Sequence, residues 1–225
     1  MVDWSVVNVQ NILFLLQGAG VSLLLAVGSL FFGTILGIIA ASMRISKNKI
    51  LRAIALCYVE LIRGTPMLLQ IIFLNIGIPI LYTAITGGII RFNVYLIGLI
   101  AMSINSGAYS CELIRSSINA IDKGQWEAAE TIGLNYSTTM FKIILPQAFK
   151  RIIPPMVSEF ITLIKDSSLV SSLGAIELLY SAQIIGKETY ESLLPLVGAM
   201  ILYLIMTTIV SYASRILERK LTESD

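Results

Sequence analysis

The stretch GQWEAAETIGLNYSTTMFKIILPQAF, Gly124 to Phe149, has the composition of a soluble helical hairpin, yet it lies between two strongly apolar runs. Its charged turns end at Gly133, a residue suited to a left-handed helix stop. Asn135 follows and can cap a second helix, which is expected to end near Pro146. A compact helix-turn-helix is therefore predicted, with an amphipathic helix lying flat on a surface as the alternative. Either way, the chain interrupts its hydrophobic sequence with an ordered polar element.

The flanks explain why that matters. Of 225 residues, 56% are hydrophobic and only 13% charged, fewer charges than soluble domains carry. Several windows of about 20 residues hold no charge, the length a helix needs to cross roughly 30 Å of hydrocarbon. The expected fold is all-α and integral to a membrane: one domain, residues 1–225, with five transmembrane helices and a cytoplasmic hairpin. The spans are placed at about 18–43, 54–81, 94–114, 155–172 and 193–213, and the hairpin region at about 116–151. The second span is broken by Arg63-Gly64-Thr65-Pro66, and GAIELLYSAQIIGKETYE, residues 174–191, is read as a connection between spans. No Lys or Arg precedes the first span, so a cleaved signal peptide is not expected.

Sidedness follows from the cations. Arg44, Lys47, Lys49, Arg52, Arg115, Lys123, Lys142, Lys150, Arg151, Arg215, Arg219 and Lys220 all fall on one side of the five-span arrangement; the opposite loops hold Arg91 and Lys187. The N-terminus is predicted outside and the hairpin and C-terminus in the cytoplasm. Histidine is absent, which removes Ser-His and Cys-His nucleophiles and His-ligated metal sites. The net charge of +2 gives no reason to expect nucleic acid. Cys57 and Cys111 read as buried apolar residues without a disulfide. No catalytic or metal-binding set emerges.

Ionisable side chains within spans are costly and by default mark a pathway or site. Glu159, Thr162 and Asp166 share one helix face, with the carboxylates separated by about 10 Å of rise. Counting from Pro155, Asp166 lies about 16 Å into the membrane, and Asn105 reaches a similar depth from Val94, where transporter sites commonly lie. Lys165 points away from that face. Pairing of Glu159, Lys165 and Asp166 with one another or with Arg63 is the structural alternative. Gln70, Asn75 and Asn105 are candidate pathway residues or interhelical hydrogen-bonding groups. Asn105, Tyr109 and Glu112 share a face. Arg63 calls for an anion, with Glu60 and Glu112 as candidates.

Glu127-Ala128-Ala129, Gly133, nine further residues and then Ile143-Ile144-Leu145-Pro146 resemble the EAA loop of permease subunits from binding-protein-dependent ABC importers. IRGTPMLLQ, SGAYSCELIRSSINAIDKGQWEAA, LPQAFKRIIPP and LIKDSSLVSSLG resemble the polar amino acid branch of that family, and the similarity runs along nearly the whole chain. The resemblance implies an inner-membrane permease whose coupling helix, with Glu127, Ala128, Ala129 and Gly133, docks on a cytoplasmic ATPase. It implies two ATPase copies carrying ATP and Mg, a second permease subunit, identical or related, and an external solute-binding protein. No G-x-x-x-x-G-K-[ST] occurs here, so ATP hydrolysis is expected on another chain. Within polar amino acids, two carboxylates on one face favour a basic, arginine-like substrate, with glutamine or histidine next. An ion-coupled transporter or channel using Asp166 and Glu159, and an intramembrane hydrolase, are the competing classes.

Overall fold

The computed structural model describes residues 3–222, and every element in it is helical. A single 3₁₀ turn, Trp4–Val6, leads to α1 (Val9–Ile45), which Asn8 caps by accepting from the Asn11 amide at 2.9 Å. Thirty-seven residues rise about 55 Å, well beyond the hydrocarbon thickness, so the expected span 18–43 is the middle of a longer rod. Then follow α2 (Lys49–Arg63), α3 (Met67–Thr86), α4 (Val94–Asn119), α5 (Lys123–Thr131), α6 (Tyr136–Leu173), α7 (Leu178–Thr189) and α8 (Leu193–Thr222). Helices α1, α3, α4 and α8 are each long and apolar enough to cross a membrane. The pair α6 and α7, bent by 48° at their junction, passes the same test of length and apolarity when taken together, so the described residues hold four spans, or five if that pair counts as one.

The central contact is α1 against α4. Between helices in lipid there is little hydrophobic drive, and close van der Waals packing of small residues takes its place. On α1 the buried face reads Ser22, Ser29, Gly33, Gly37, Ala40 and Ala41; on α4 it reads Ser103, Ser106, Gly107 and Ser110. A Cβ on Gly33 would lie 2.7 Å from the Ser106 Cβ, and one on Gly37 would collide with the Ser110 Cβ. Gly107 in turn leaves room for the Tyr58 hydroxyl, which donates to the Ile104 carbonyl at 2.6 Å and so ties α2 to α4.

Two departures from the sequence expectation concern burial. The segment 174–191 is more than a connection: α7 packs on α1 and α8, with Leu178, Ser181 and Ala182 wholly buried. Its first turn is held by Glu177, itself wholly buried, whose carboxylate accepts from the Leu179 and Tyr180 amides (3.0 and 2.8 Å), the Ser22 hydroxyl (3.2 Å) and the Tyr203 hydroxyl (2.8 Å). An acidic residue within a helix too short to span gives no hydropathy signal. The second correction is Cys57, which is exposed while Cys111 is buried. Amphipathic α2 buries only Ala55, Val59 and Ile62, and Cys57 falls on its other face.

The α1–α4 contact yields a direct test. Gly37→Leu is expected to abolish assembly or lower the thermal midpoint by several degrees, because overpacking costs about 1–3 kcal/mol. Gly20→Ala, with nothing within 4 Å of its added methyl, should leave the midpoint unchanged or raise it. Thermal unfolding of the purified variants reads both.

Candidate functional site: the hairpin and the polar seam

The polar stretch at Gly124–Phe149 folds as a hairpin with a small core of its own. Asp122 opens α5 by accepting from the Gly124 amide at 2.6 Å. Gly133, at φ +76, ends it, with the Leu134 amide donating to the Ala129 carbonyl at 3.0 Å and the Gly133 amide to Glu130 at 2.9 Å. Asn135 then caps α6 by accepting from the Thr138 amide at 2.9 Å. Ile118, Ile121, Met140, Ile144 and Ala148 are buried between the arms, and Trp126 stacks on Tyr136 with ring centroids 5.6 Å apart. Arg151 donates to the Ala120 carbonyl at 2.9 Å, closing the base.

The four sequence-predicted docking residues divide into two groups. Glu127, Ala128 and Gly133 are exposed, beside Ile132 at 73% exposure. Ala129 is 2% exposed, so it is not presented on the hairpin's outer surface. Nothing lies within 4 Å of where a Gly133 Cβ would stand. Glycine is favoured there by its backbone conformation alone.

Beyond the hairpin runs a polar seam between α4 and the break separating α2 from α3. Pro66 cannot donate an amide hydrogen, so carbonyls at the end of α2 need other donors. The Thr65 hydroxyl donates to the Leu61 carbonyl at 2.9 Å. Gln70 Nε2 reaches the Ile62 carbonyl (2.8 Å) and both the carbonyl and hydroxyl of Thr65 (3.1 and 2.8 Å), while Gln70 Oε1 accepts from Asn105 Nδ2 at 3.0 Å. Gln70 and Asn105 are thus brought together as a clasp across the break. Asn75 stands apart from them, half-buried in the π-helical turn Phe73–Gly77 of α3.

Farther along α4, the Arg63 guanidinium sits over the Tyr109 ring, 5.2 Å from its centroid. The expected carboxylate partner is not found: Glu112 is taken by Arg44 (3.3 Å) and Arg115 (2.7 Å), and Glu60 makes no ion pair among the described residues. A flat guanidinium stacked on an aromatic face keeps a favourable partner without a second charge.

The α6 residues of the set lie apart from this clasp. Glu159 and Asp166 are half-buried, Thr162 and Lys165 exposed, and none of the three charged residues forms an ion pair among the described residues. Thr162 donates to the Ser158 carbonyl at 3.1 Å, leaving its oxygen lone pairs outward. Asp166 ends the α-helical part of α6, and the next seven residues, Ser167–Leu173, wind as 3₁₀ helix. Ser167, Ser168, Ser171 and Ser172 each donate to the carbonyl three residues back, at 2.6–2.7 Å. Tight 3₁₀ stretches at such positions often mark functional hinges. Lys165 lines a cleft of about 610 Å³ against α7 and α8, which the two carboxylates do not border.

The residues that sequence reasoning missed are Glu177, Ser22 and Tyr203, whose hydrogen bonds pin α7. The available signal was a lone acidic residue two positions beyond Gly174-Ala175 and just before an apolar run, a helix-start pattern.

A helical membrane bundle with an outward-facing polar hairpin and unpaired carboxylates within a span defines the membrane-embedded part of a transport machine. Comparison with known proteins agrees. The profile of the family described as binding-protein-dependent transport system inner membrane component matches residues 33–223, and the chain belongs to that family. Among its relatives are a putative glutamine transport system permease protein, GlnP, of Rickettsia bellii, 38% identical over the whole of both chains, and the arginine transport system permease protein ArtQ of Bacillus subtilis, 37% identical over 97% of each. A solved amino acid ABC transporter, crystallised with histidines, superposes with a TM-score of 0.86 at 33% identity, covering 92% of this chain and 94% of that one. As a permease subunit the chain is not itself an enzyme, and the ATPase is a separate subunit.

Removing the clasp across the helix break should be measurable. Gln70→Leu leaves the Ile62 carbonyl and Asn105 Nδ2 unpartnered and is expected to cost about 1–3 kcal/mol of stability. Chemical or thermal unfolding of the variant in detergent checks this.

Proposed function

We propose that this chain is one of two permease subunits of an importer for polar amino acids, with basic, arginine-like side chains preferred. The observation that carries the preference is the pair Glu159 and Asp166: carboxylates on one helix face, separated by about 10 Å of rise and left without cationic partners among the described residues. Two such anions suit a ligand with an α-ammonium and a second cation. The relatives named for arginine, glutamine and L-cystine transport support an amino acid substrate, the first two in favour of a polar side chain. Thr162 is the neighbouring polar group on that face and Asn75 would border the path, while Lys165, in its separate cleft against α7 and α8, is left out of the ligand contacts. Gln70 and Asn105 hold the helix break beside it.

In this reading the hairpin docks on the ATPase through Glu127, Ala128 and the turn at Gly133, and buried Ala129 is left out of that face. ATP and Mg are bound by two ATPase copies, and a second permease, identical or related, completes the path. Twelve cations on the hairpin side support a cytoplasmic hairpin and C-terminus and an outer N-terminus, in an inner membrane served by an external solute-binding protein.

Two experiments test it. In proteoliposomes with its ATPase and binding protein, the double variant Glu159→Gln/Asp166→Asn should reduce labelled arginine uptake by about tenfold or more, as expected when charge-assisted hydrogen bonds are lost. Uptake at the unmodified rate would remove the carboxylates from the site. Separately, Glu127→Lys or Gly133→Asp should preserve folding but uncouple ATP hydrolysis from transport. Retention of both transport and stimulated hydrolysis in these variants would exclude the docking face.

A further inference from the structure

On the hairpin side, Arg44, Arg52 and Arg115 line a cleft of about 530 Å³ bounded by Trp126 and Tyr136. No acidic side chain lines it. Arg44 and Arg115 share the single carboxylate of Glu112, and Arg52 is exposed and makes no ion pair among the described residues. Three guanidiniums against one carboxylate leave an excess of two positive charges at this spot. The buried Arg44 Nε has no hydrogen-bond acceptor.

The cleft does not end in protein. Ile45, Ile118 and Met140 line both it and a second cavity of about 650 Å³, which runs between α1, α4 and α6 and whose lining carries no charge. Along α1 this groove extends from Leu30 to Ile45, about 22 Å of helix. That exceeds the roughly 15 Å depth of one leaflet's hydrocarbon. An anion-binding mouth thus opens directly into an apolar trough of acyl-chain length, with an aromatic pair at the rim, where membrane interfaces place aromatic residues.

We infer that this composite cavity is a binding site for an anionic phospholipid, its phosphate held by Arg52, Arg115 and Arg44 and one acyl chain laid in the groove between α1 and α6. A zwitterionic lipid carries a compensating ammonium and gains less from the excess positive charge. A soluble phosphate would use the mouth but leave the groove empty. The inference rests on the chain being membrane-embedded and is independent of which amino acid it moves.

The chain has two tryptophans, so Trp4→Phe leaves Trp126, at the rim, as the sole reporter. The full-length variant is titrated in detergent with phosphatidylglycerol or phosphatidylcholine brominated close to the ester linkage, since bromine quenches tryptophan only near contact. Phosphatidylglycerol is expected to quench at an about tenfold lower mole fraction than phosphatidylcholine, and Arg52→Gln to reduce that preference about fivefold, with Arg52→Lys retaining it. Equal quenching by the two lipids, or a preference untouched by Arg52→Gln, overturns the headgroup assignment. Absence of quenching by either lipid gives the groove to another occupant, such as a second copy of the chain. Relief of phosphatidylglycerol quenching by millimolar inorganic phosphate makes the mouth a site for free anions and overturns the lipid.

Discussion

The near-contact of α1 and α4 at Gly33, Gly37, Ser106 and Ser110 is the constraint on which the rest of the molecule depends. With backbones this close, α1 becomes the common support against which α2, α6, α7 and α8 also pack. The α7 start is tied to it through Ser22, and the seam of α4 is held at a fixed distance from the break between α2 and α3. Larger side chains at the crossing would separate the rods and loosen both attachments together. Because the contact is made of small groups, its stability comes from fit more than from buried apolar area.

Polar groups within the spans sort by how completely they are satisfied. Glu177 has four hydrogen-bond donors, and Gln70 is engaged at both ends of its amide; such groups organise structure, since an unpaired partner in a low-dielectric interior is costly. Glu159 and Asp166 have no such shell. They stand beside a change of helical winding, where α6 tightens into a serine-rich 3₁₀ turn. Glu177 and Gln70 thus belong to the scaffold that holds α7 and the helix break in place.

Much of this was legible in the sequence. Gly133 and Asn135 gave the hairpin turn and the cap that follows, and α4 starts at Val94, where Asn93 caps it by accepting from the Tyr95 amide. Composition gave the all-helical membrane class, and the chain breaks between Arg63 and Met67 where Gly64, Thr65 and Pro66 require it, so that the span-length helix there is Met67–Thr86. Less legible was anything decided by partner choice across long separations. Glu112 prefers two arginines over Arg63, Asn105 meets Gln70 rather than facing open space, and Ala129 is buried; each depends on three-dimensional neighbours that spacing along one helix does not encode. The α7 helix escaped for a different reason. Hydropathy windows are scaled to whole crossings, and a helix of 12 residues opened by an acid is below that scale.

The 3₁₀ segment Ser167–Leu173 has a mechanical consequence. Its seven residues rise about 2.0 Å each instead of 1.5 Å, so rewinding it as α-helix would shorten this part of α6 by about 3.5 Å and swing Asp166 around the axis. The serine hydroxyls that satisfy the tight form can follow their carbonyls, and Gly174, at φ +85, already turns the chain at the far end. Such rewinding would exchange each i→i+3 hydrogen bond for an i→i+4 one, trading twist for length at a nearly constant number of backbone hydrogen bonds.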